Sequence, residues 1–246
     1  MWQLLRLIGH DNWLETSIVA GTCVAVTDGS YIRELYPHLC AVAFIIECSE
    51  GNGLIVGSFP EKSSAASAYR GELLGLLAIH LILLAANKVQ QDLRGLVRNY
   101  SNCLGALTKV ATFPRNRIPT RCRHSDIQKT IMVHCQDLTF DCSYLHVRAH
   151  QDDNVSYDKL VWPAQLNCLC DRDAKGVIWG LEGEELPPQE VLPLESVAVF
   201  IGGEKMTSDT GDILRYWAQR QIAKEYYYAK NVLNNDQFEE VAWQVN

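Results

Sequence analysis

Four short fragments of this 246-residue chain carry acidic or amide side chains where chemistry could take place. Each lies at the end of an apolar, strand-like run or on a strongly apolar helical stretch. In chain order they are Thr27-Asp28-Gly29-Ser30, Tyr69-Arg70-Gly71-Glu72-Leu73, Tyr100-Ser101-Asn102-Cys103 and Leu166-Asn167-Cys168-Leu169-Cys170-Asp171. Such oxygen ligands suit Mg²⁺, which proteins usually hold with a few carboxylates, waters and substrate phosphates. If the fold gathers these side chains, they predict metal-assisted hydrolysis of a phosphodiester.

Taken singly, these residues have ordinary structural explanations. Asp28 precedes a glycine, as in many turns, Asn102 is a favoured helix N-cap, and a helical aspartate is commonly exposed. Glu72 is harder to explain, because it opens the most apolar helix, where a carboxylate is costly unless it is paired or metal-bound. Gly71 and Gly75 flank it and remove side-chain bulk, so another backbone could approach this helix closely.

The surrounding hydrophobic pattern predicts an α/β fold. Strand-like runs predict three consecutive strands, the last two joined as a hairpin by residues 49–52, and then helices alternating with two further strands. We expect strands at residues 17–27, 40–48, 53–59, 93–100 and 139–147, and helices at residues 63–87, 102–110, 125–137 and 164–179. This order predicts a mixed five-stranded sheet, three antiparallel strands followed by two parallel ones, flanked by helices.

The chain is expected to divide into three regions. Residues 1–18 are interpreted as an N-terminal packing segment, a short helix and loop. Residues 19–181 contain the predicted α/β domain. Residues 182–246 begin with an acidic, proline-containing stretch typical of a linker and continue as a C-terminal extension, a small hairpin and a helix.

Composition and charge argue against several classes of protein. The chain is 48% hydrophobic and 21% charged, and its net charge of −7 disfavours indiscriminate nucleic-acid binding. The longest apolar stretch is too short to span a bilayer, and the first residues do not resemble a secretory signal, so no membrane partner is expected. Nine cysteines without a CxxC pair favour a reduced, intracellular protein with structural thiols over a zinc site or disulfide framework.

One segment departs from the acidic character of the chain. Between Arg94 and Lys129 it carries eight basic residues, and Asp126 is its only acid. A basic segment in an acidic protein is typical of a local contact with a polyanion. A solvated helix face gives the same composition, so charge alone leaves both interpretations open.

Together, the four fragments resemble a type 1 ribonuclease H, and most of all the ribonuclease H domains that follow reverse transcriptases in retroelement polyproteins. The resemblance covers about residues 20–180 and also includes residues 147–150 and the Ala174-Lys175 pair after Asp171. It implies the ribonuclease H-like fold and hydrolysis of the RNA strand of RNA/DNA hybrids. The implied cofactors are two Mg²⁺ ions, with Mn²⁺ as substitute. The implied partners are the hybrid and the reverse transcriptase region of the same polyprotein.

The resemblance also assigns roles to individual residues. The implied metal ligands, which are also catalytic positions, are Asp28, Glu72, Asn102 and Asp171. His150 would be the loop histidine that helps the leaving group depart. Contacts to nucleic acid are implied for Gly29, Ser30, Arg94, Arg98, Arg115, Arg117, Arg121 and Arg123.

Asn102 departs from the family pattern, which has aspartate at this position. An amide oxygen can coordinate a cation, but it lacks the negative charge, and the NH₂ group repels a second metal. The resemblance therefore implies weak or absent activity in this chain. The alternative is a degenerate module that binds nucleic acid or a polymerase partner without chemistry. An integrase or transposase of the same broad fold is disfavoured, because their acidic helix residue comes late in the chain, whereas Glu72 comes early.

Overall fold

The computed structural model describes residues 5–112, 122–181, 191–193, 195, 198–201, 204–207, 210–232, 234 and 237. The strands are β1 (Arg6–Gly9), β2 (Cys23–Ser30), β3 (Leu39–Cys48), β4 (Gly53–Lys62), β5 (Leu96–Ser101), β6 (Asp141–His146), β7 (Phe200–Ile201) and β8 (Glu204–Lys205). The helices are α1 (Trp13–Ala20), α2 (Ala68–Val89), α3 (Leu104–Thr112), α4 (Ser125–Asp137), α5 (Trp162–Gly180) and α6 (Thr210–Ala229). Two short 3₁₀ helices lie at Gln151–Asp153 and Tyr157–Lys159.

The main sheet has the strand order β1-β4-β3-β2-β5-β6. Strands β1 to β4 pair antiparallel, whereas β5 runs parallel to both β2 and β6. This is the expected mixed sheet, and β7–β8 with α6 form the expected small hairpin and helix at the C-terminal end. Because side chains alternate along a strand, β2 buries Cys23 and Ala25 in the core cluster that contains α2, and Val24 and Val26 in the cluster that contains α5.

The expected strand count was wrong, because the described part of the main sheet has six strands rather than five. The extra strand, β1, lies in the segment interpreted as a packing helix and loop, and it pairs with the edge strand β4. All four of its residues are exposed, so no hydrophobic alternation marked it in the sequence. The first strand was also predicted to begin too early. Its residues 17–20 end helix α1, which Gly21 terminates in the left-handed conformation (φ 67°).

Helix α2 is the core helix of the domain. Contrary to the expectation that the longest apolar stretch is too short, this 22-residue helix could cross a membrane by length and composition, yet 78% of its most apolar window is buried inside the protein. Its N-cap is Ser67, whose side chain accepts a hydrogen bond from the backbone N–H of Arg70. The helix can be apolar on several sides because the sheet and the neighbouring helices cover it.

Two glycines let α2 lie directly on strand β2. A Cβ atom added at Gly75 would stand 1.6 Å from Oγ1 of Thr27, and one added at Gly71 would stand 2.9 Å from Cα of Gly29. Thr27 cannot move away freely, because its hydroxyl donates to the backbone carbonyl of Ala43 at 3.0 Å. The missing side chains are what allow the helix to approach the central strand this closely.

We expect Gly75→Ala to destabilise the fold by about 1–3 kcal/mol, because the added methyl group forces α2 away from β2. The matched control is Gly176→Ala in α5, where an added Cβ meets nothing within 4 Å. That change should stabilise the protein by about 0.5–1 kcal/mol, since alanine is the better helix former. Urea unfolding of the two variants measures both effects, and equal stabilities would contradict the close helix–strand contact.

Candidate active site

Asp28 and Asn102 meet because their two strands are parallel neighbours. In the β2–β5 register Thr27 pairs with Ser101, so the next residues of both strands lie side by side at the same edge of the sheet. The Asn102 side chain donates from Nδ2 to Oδ2 of Asp28 at 3.0 Å. Asp28 is buried, at 4% exposure. The expected juxtaposition of these two positions is present.

Glu72 reaches the same point from helix α2. A Cβ atom on Gly29 would lie 2.5 Å from the backbone nitrogen of Glu72, so the glycine permits the contact. Glu72 is 3% exposed, and its Oε2 accepts a hydrogen bond from the Ser101 hydroxyl at 3.0 Å. Its carboxyl group is also within hydrogen-bonding reach of Asp28. Two acids that are 44 residues apart in sequence (72 − 28) thus share one buried site.

The pKa values of both carboxyl groups are raised, and the hydrogen bond between them favours the protonated form of Glu72 over that of Asp28. Burial raises the pKa of Glu72 well above its usual value, and the neighbouring negative charge of Asp28 raises it further. Burial also raises the pKa of Asp28, but hydrogen bonds from Glu72, from the Gly29 backbone and from Asn102 partly oppose this. Within the described residues neither acid forms an ion pair. In the described part of the chain, the site is therefore a buried pair of carboxyl groups without a neutralising cationic side chain.

Helix α5 brings Asp171 and Asn167 to the same edge. Asn167 is buried and donates from Nδ2 to Oδ2 of Asp28 at 3.2 Å. Asp171 is half-buried, and its negative charge contributes to the raised pKa of Asp28, after burial. Its own carboxylate binds Nζ of Lys175 at 2.7 Å. The three predicted carboxylates thus converge on one region, with Asp171 at its more exposed side.

The donor set for a metal is incomplete among the described residues. No three His, Cys, Asp or Glu side chains in that part of the chain lie close enough together to hold one ion. Asp171 is engaged by Lys175, and Asn102 turns its NH₂ group, rather than its amide oxygen, towards Asp28. Asp28 and Glu72 alone offer a pair of hard oxygen ligands that a divalent cation would suit.

Two of the residues that bind the carboxyl groups, Ser101 and Asn167, were not predicted as site residues. The sequence held a signal for each. Ser101 directly precedes Asn102 in the third fragment, and Asn167 lies four residues before Asp171, which puts both on one face of a helix.

A different histidine from the predicted one touches the site. His146, at the end of β6, places Nε2 3.1 Å from the backbone carbonyl oxygen of Asn102. His150, the predicted loop histidine, is exposed and lies at the start of a 3₁₀ helix with φ 51°. Its side chain makes no capping hydrogen bond there. Its role in catalysis stays a prediction.

The predicted nucleic-acid contacts are only partly visible. Arg94 is exposed and donates to the carbonyl oxygen of Thr139 at 2.6 Å, and Arg98 donates to the carbonyl oxygen of Gly21. Arg123 is exposed. Gly29 packs against α2 and is half-buried, and Ser30 is buried. Arg115, Arg117 and Arg121 lie outside the described residues. All eight predicted contacts to nucleic acid stay predictions.

We expect Glu72→Gln to stabilise the metal-free protein, because the acid must either bind a proton or carry a charge beside Asp28, whereas the amide is neutral and can donate to Asp28. The folded-state pKa of Glu72 is raised above its unfolded value of 4.5, so the charge penalty is present at high pH and disappears as the pH falls. The gain should be on the order of 1 kcal/mol at about pH 8 and should shrink by about pH 5.

Urea unfolding in EDTA measures this difference. The matched control is Glu34→Gln, a carboxylate on an exposed residue, which should show no such pH-dependent gain. A Glu72→Gln protein that is no more stable than the parent at about pH 8 would contradict the raised pKa of Glu72.

No protein-family model matches this chain, and no curated protein matches it. Solved structures do match at 10–18% identity. LC11-RNase H1, a protein from compost solved with an RNA/DNA hybrid, is 13% identical over 65% of this chain and 99% of its own, with a TM-score of 0.48. The ribonuclease H domain of prototype foamy virus is 16% identical over 65% of this chain and 95% of its own, with a TM-score of 0.49. Ribonuclease H1 of Halobacterium salinarum is 15% identical over 64% and 98%, with a TM-score of 0.39.

The fold is assigned from the sheet of this chain itself. Three antiparallel strands, β4, β3 and β2, continue into the parallel strands β5 and β6, with α2 and α5 on opposite faces. This is the arrangement that the sequence motifs implied, extended by β1 at one edge. The chain therefore has a ribonuclease H-like fold.

Proposed function

We propose that this chain is a metal-dependent ribonuclease H that hydrolyses the RNA strand of RNA/DNA hybrids, and that Asn102 attenuates it. The observation that supports this most is the buried contact between Asp28 and Glu72, which no cationic side chain of the described residues neutralises. Burying two acids together is costly, and a bound cation is the usual compensation. Such an uncompensated pair is more typical of a functional site than of a structural one.

Asp28 and Glu72 are the residues proposed to hold a first divalent cation, Mg²⁺ or its substitute Mn²⁺. Asp171, with the amide oxygen of Asn102, is proposed to contribute to a second position. When bound, such ions activate a water molecule and stabilise the leaving oxygen of a phosphodiester. The chain's own contribution is to hold the carboxyl oxygens in place through the hydrogen bonds from Ser101 and the Gly29 backbone.

Asn102 weakens this arrangement in two ways. It supplies no negative charge, and its side-chain N–H already donates to Oδ2 of Asp28, one of the residues that would hold a metal. Asn167 donates to the same oxygen at 3.2 Å. A cation would compete with both amides for Asp28, so we expect metal affinity and turnover to be low in this chain.

The RNA/DNA hybrid is proposed as substrate from the sequence motifs. Of the described basic residues in this segment, Arg94, Lys109 and Arg123 are exposed and available to phosphates. A reverse transcriptase region of the same polyprotein is proposed as partner on the same grounds. His150 is proposed to assist the leaving group, since its exposed position beside the 3₁₀ helix leaves it accessible to substrate.

One set of contacts favours the second candidate, a module that keeps the fold without chemistry. Amide N–H groups from Asn102 and Asn167 bind Asp28, and the ammonium group of Lys175 binds Asp171. These groups partly satisfy the acids in the way that metals would. A chain that had lost catalysis would benefit from such contacts, because they lower the cost of the buried charges.

Asn102→Asp is expected to raise Mg²⁺-dependent cleavage of a labelled RNA/DNA hybrid by roughly 10²–10⁴-fold, the range typical of restoring one charged group at a transition state. The added carboxylate supplies the missing charge and removes the N–H that occupies Asp28. Adding Asp28→Asn to the revertant should abolish the gain.

Asn52→Asp, in the turn between β3 and β4, is the matched control for an added negative charge and should leave cleavage unchanged. Titration with Mn²⁺ should show tighter binding in the revertant and none in Asn102→Asp with Asp28→Asn. If the revertant neither cleaves nor binds metal more tightly, the non-catalytic module is the correct interpretation.

A further inference from the structure

A buried network of charges lies beside the candidate site, at the start of helix α2. Arg70 is fully buried, only two residues before Glu72. Its guanidinium binds the Glu61 carboxylate through Nη2 at 2.6 Å and Nε at 2.9 Å. It also binds Asp126 through Nη2 at 3.0 Å and Nη1 at 3.2 Å. Two bidentate pairs thus fix one side chain of the first turn of α2.

The C-terminal hairpin completes this network. Nζ of Lys205 lies 2.6 Å from Oε2 of Glu195 and 3.4 Å from Oδ2 of Asp126, and the Lys205 side chain is fully buried. The backbone N–H of Ser125 donates to the carbonyl oxygen of Thr207 at 3.0 Å, which ties the residues after β8 to the start of α4. Residues beyond 190 therefore contribute a cation to the interior of the domain.

Electrostatics make Lys205 more than a packing residue. Burial alone would raise the pKa of Asp126, but Arg70 and, more weakly, Lys205 hold it below its usual value. Burial and the charge of Arg70 lower the pKa of His124 to about 4, so this neighbour is neutral near pH 7 and supplies no charge. Two cations and three carboxylates are thus packed together, and loss of Lys205 would leave Arg70, among the described residues, as the one cation of this network against three acids.

The same network reaches the N-cap of α2. His124 stands 3.4 Å from Nη1 of Arg70 through Nδ1 and 3.5 Å from the Ser67 hydroxyl through Nε2. Ser67 in turn accepts the backbone N–H of Arg70 at 3.1 Å. The orientation of the first turn of α2, and with it that of Glu72, depends on these contacts.

We propose that Lys205 is a positioning residue of the carboxylate site, acting through Asp126 and Arg70 on the turn that carries Glu72. The C-terminal hairpin would then help to position the carboxylate site, in addition to packing against the domain. The consequence for catalysis rests on the proposed ribonuclease activity, but the positioning itself does not.

The first experiment is hydrogen–deuterium exchange on the full-length, metal-free chain. Lys205→Met should raise exchange of the backbone amides at residues 70–72 and 125–128 by about tenfold or more, since local opening becomes easier when the buried charges are unbalanced. Lys205→Arg, which restores the cation, should return exchange to the level of the parent. Lys230→Met, an exposed lysine of the same C-terminal extension, is the matched control and should change nothing.

A rise confined to residues 195–207 would overturn the proposal, because Lys205 would then hold only its own segment. Failure of Lys205→Arg to rescue would overturn it as well. If Lys205→Met does not fold, Glu195→Gln takes its place in the same comparison. This variant keeps Lys205 but removes its charged partner, and it must show the same rise in exchange at residues 70–72.

Kinetics separate this proposal from the proposed function. In the Asn102→Asp background, Lys205→Met should lower kcat for hybrid cleavage by about tenfold and leave KM nearly unchanged, because a displaced Glu72 affects the transition state more than substrate binding. An equal kcat would overturn the positioning role. If the Asn102→Asp chain shows no cleavage at all, the ribonuclease assignment fails, while the exchange measurement still decides the role of Lys205.

Discussion

The close contact between helix α2 and strand β2 is the constraint on which the site depends. Gly29 on the strand and Gly71 on the helix leave their backbones nearly touching, so that Glu72 enters the sheet edge beside Asp28. Any larger residue at either position would separate the two acids. The approach also explains why the acids are buried, since the helix covers the strand end that carries Asp28.

Forcing two acids together has an electrostatic cost that the surrounding groups only partly relieve. The hydroxyl of Ser101, the backbone of Gly29 and the amide of Asn167 donate to them, yet the pKa values of both acids stay raised. Asn102 adds one more donor. An aspartate in its place would add to the electrostatic repulsion in the metal-free protein, and a bound cation would offset that repulsion. Residue 102 therefore sets the balance between stability without metal and affinity for metal.

Much of this architecture could be predicted from local sequence, and the rest depends on tertiary contacts. The hairpin at residues 49–52 and helix α4 were predicted closely, because turn residues or polar boundaries mark them. The glycines beside Glu72 correctly indicated a close approach. Strand β1 escaped prediction because only pairing with β4 defines it. The Asn102 contact of His146 depends on the β5–β6 register, which places Ser101 opposite His146, and no local pattern contains that information.

The acidic stretch after residue 181 shows the limit of composition as a guide to organisation. It predicts a boundary, and that division of the chain stays a prediction. Yet Lys205 and Glu195, which follow the stretch, share buried charges with Asp126, which precedes it. Removing one partner of a buried ion pair is strongly destabilising, because the other charge is left buried and unpaired. A polar linker can therefore connect two segments that share one set of buried ion pairs. The contacts, rather than the composition, then show where the folded unit ends.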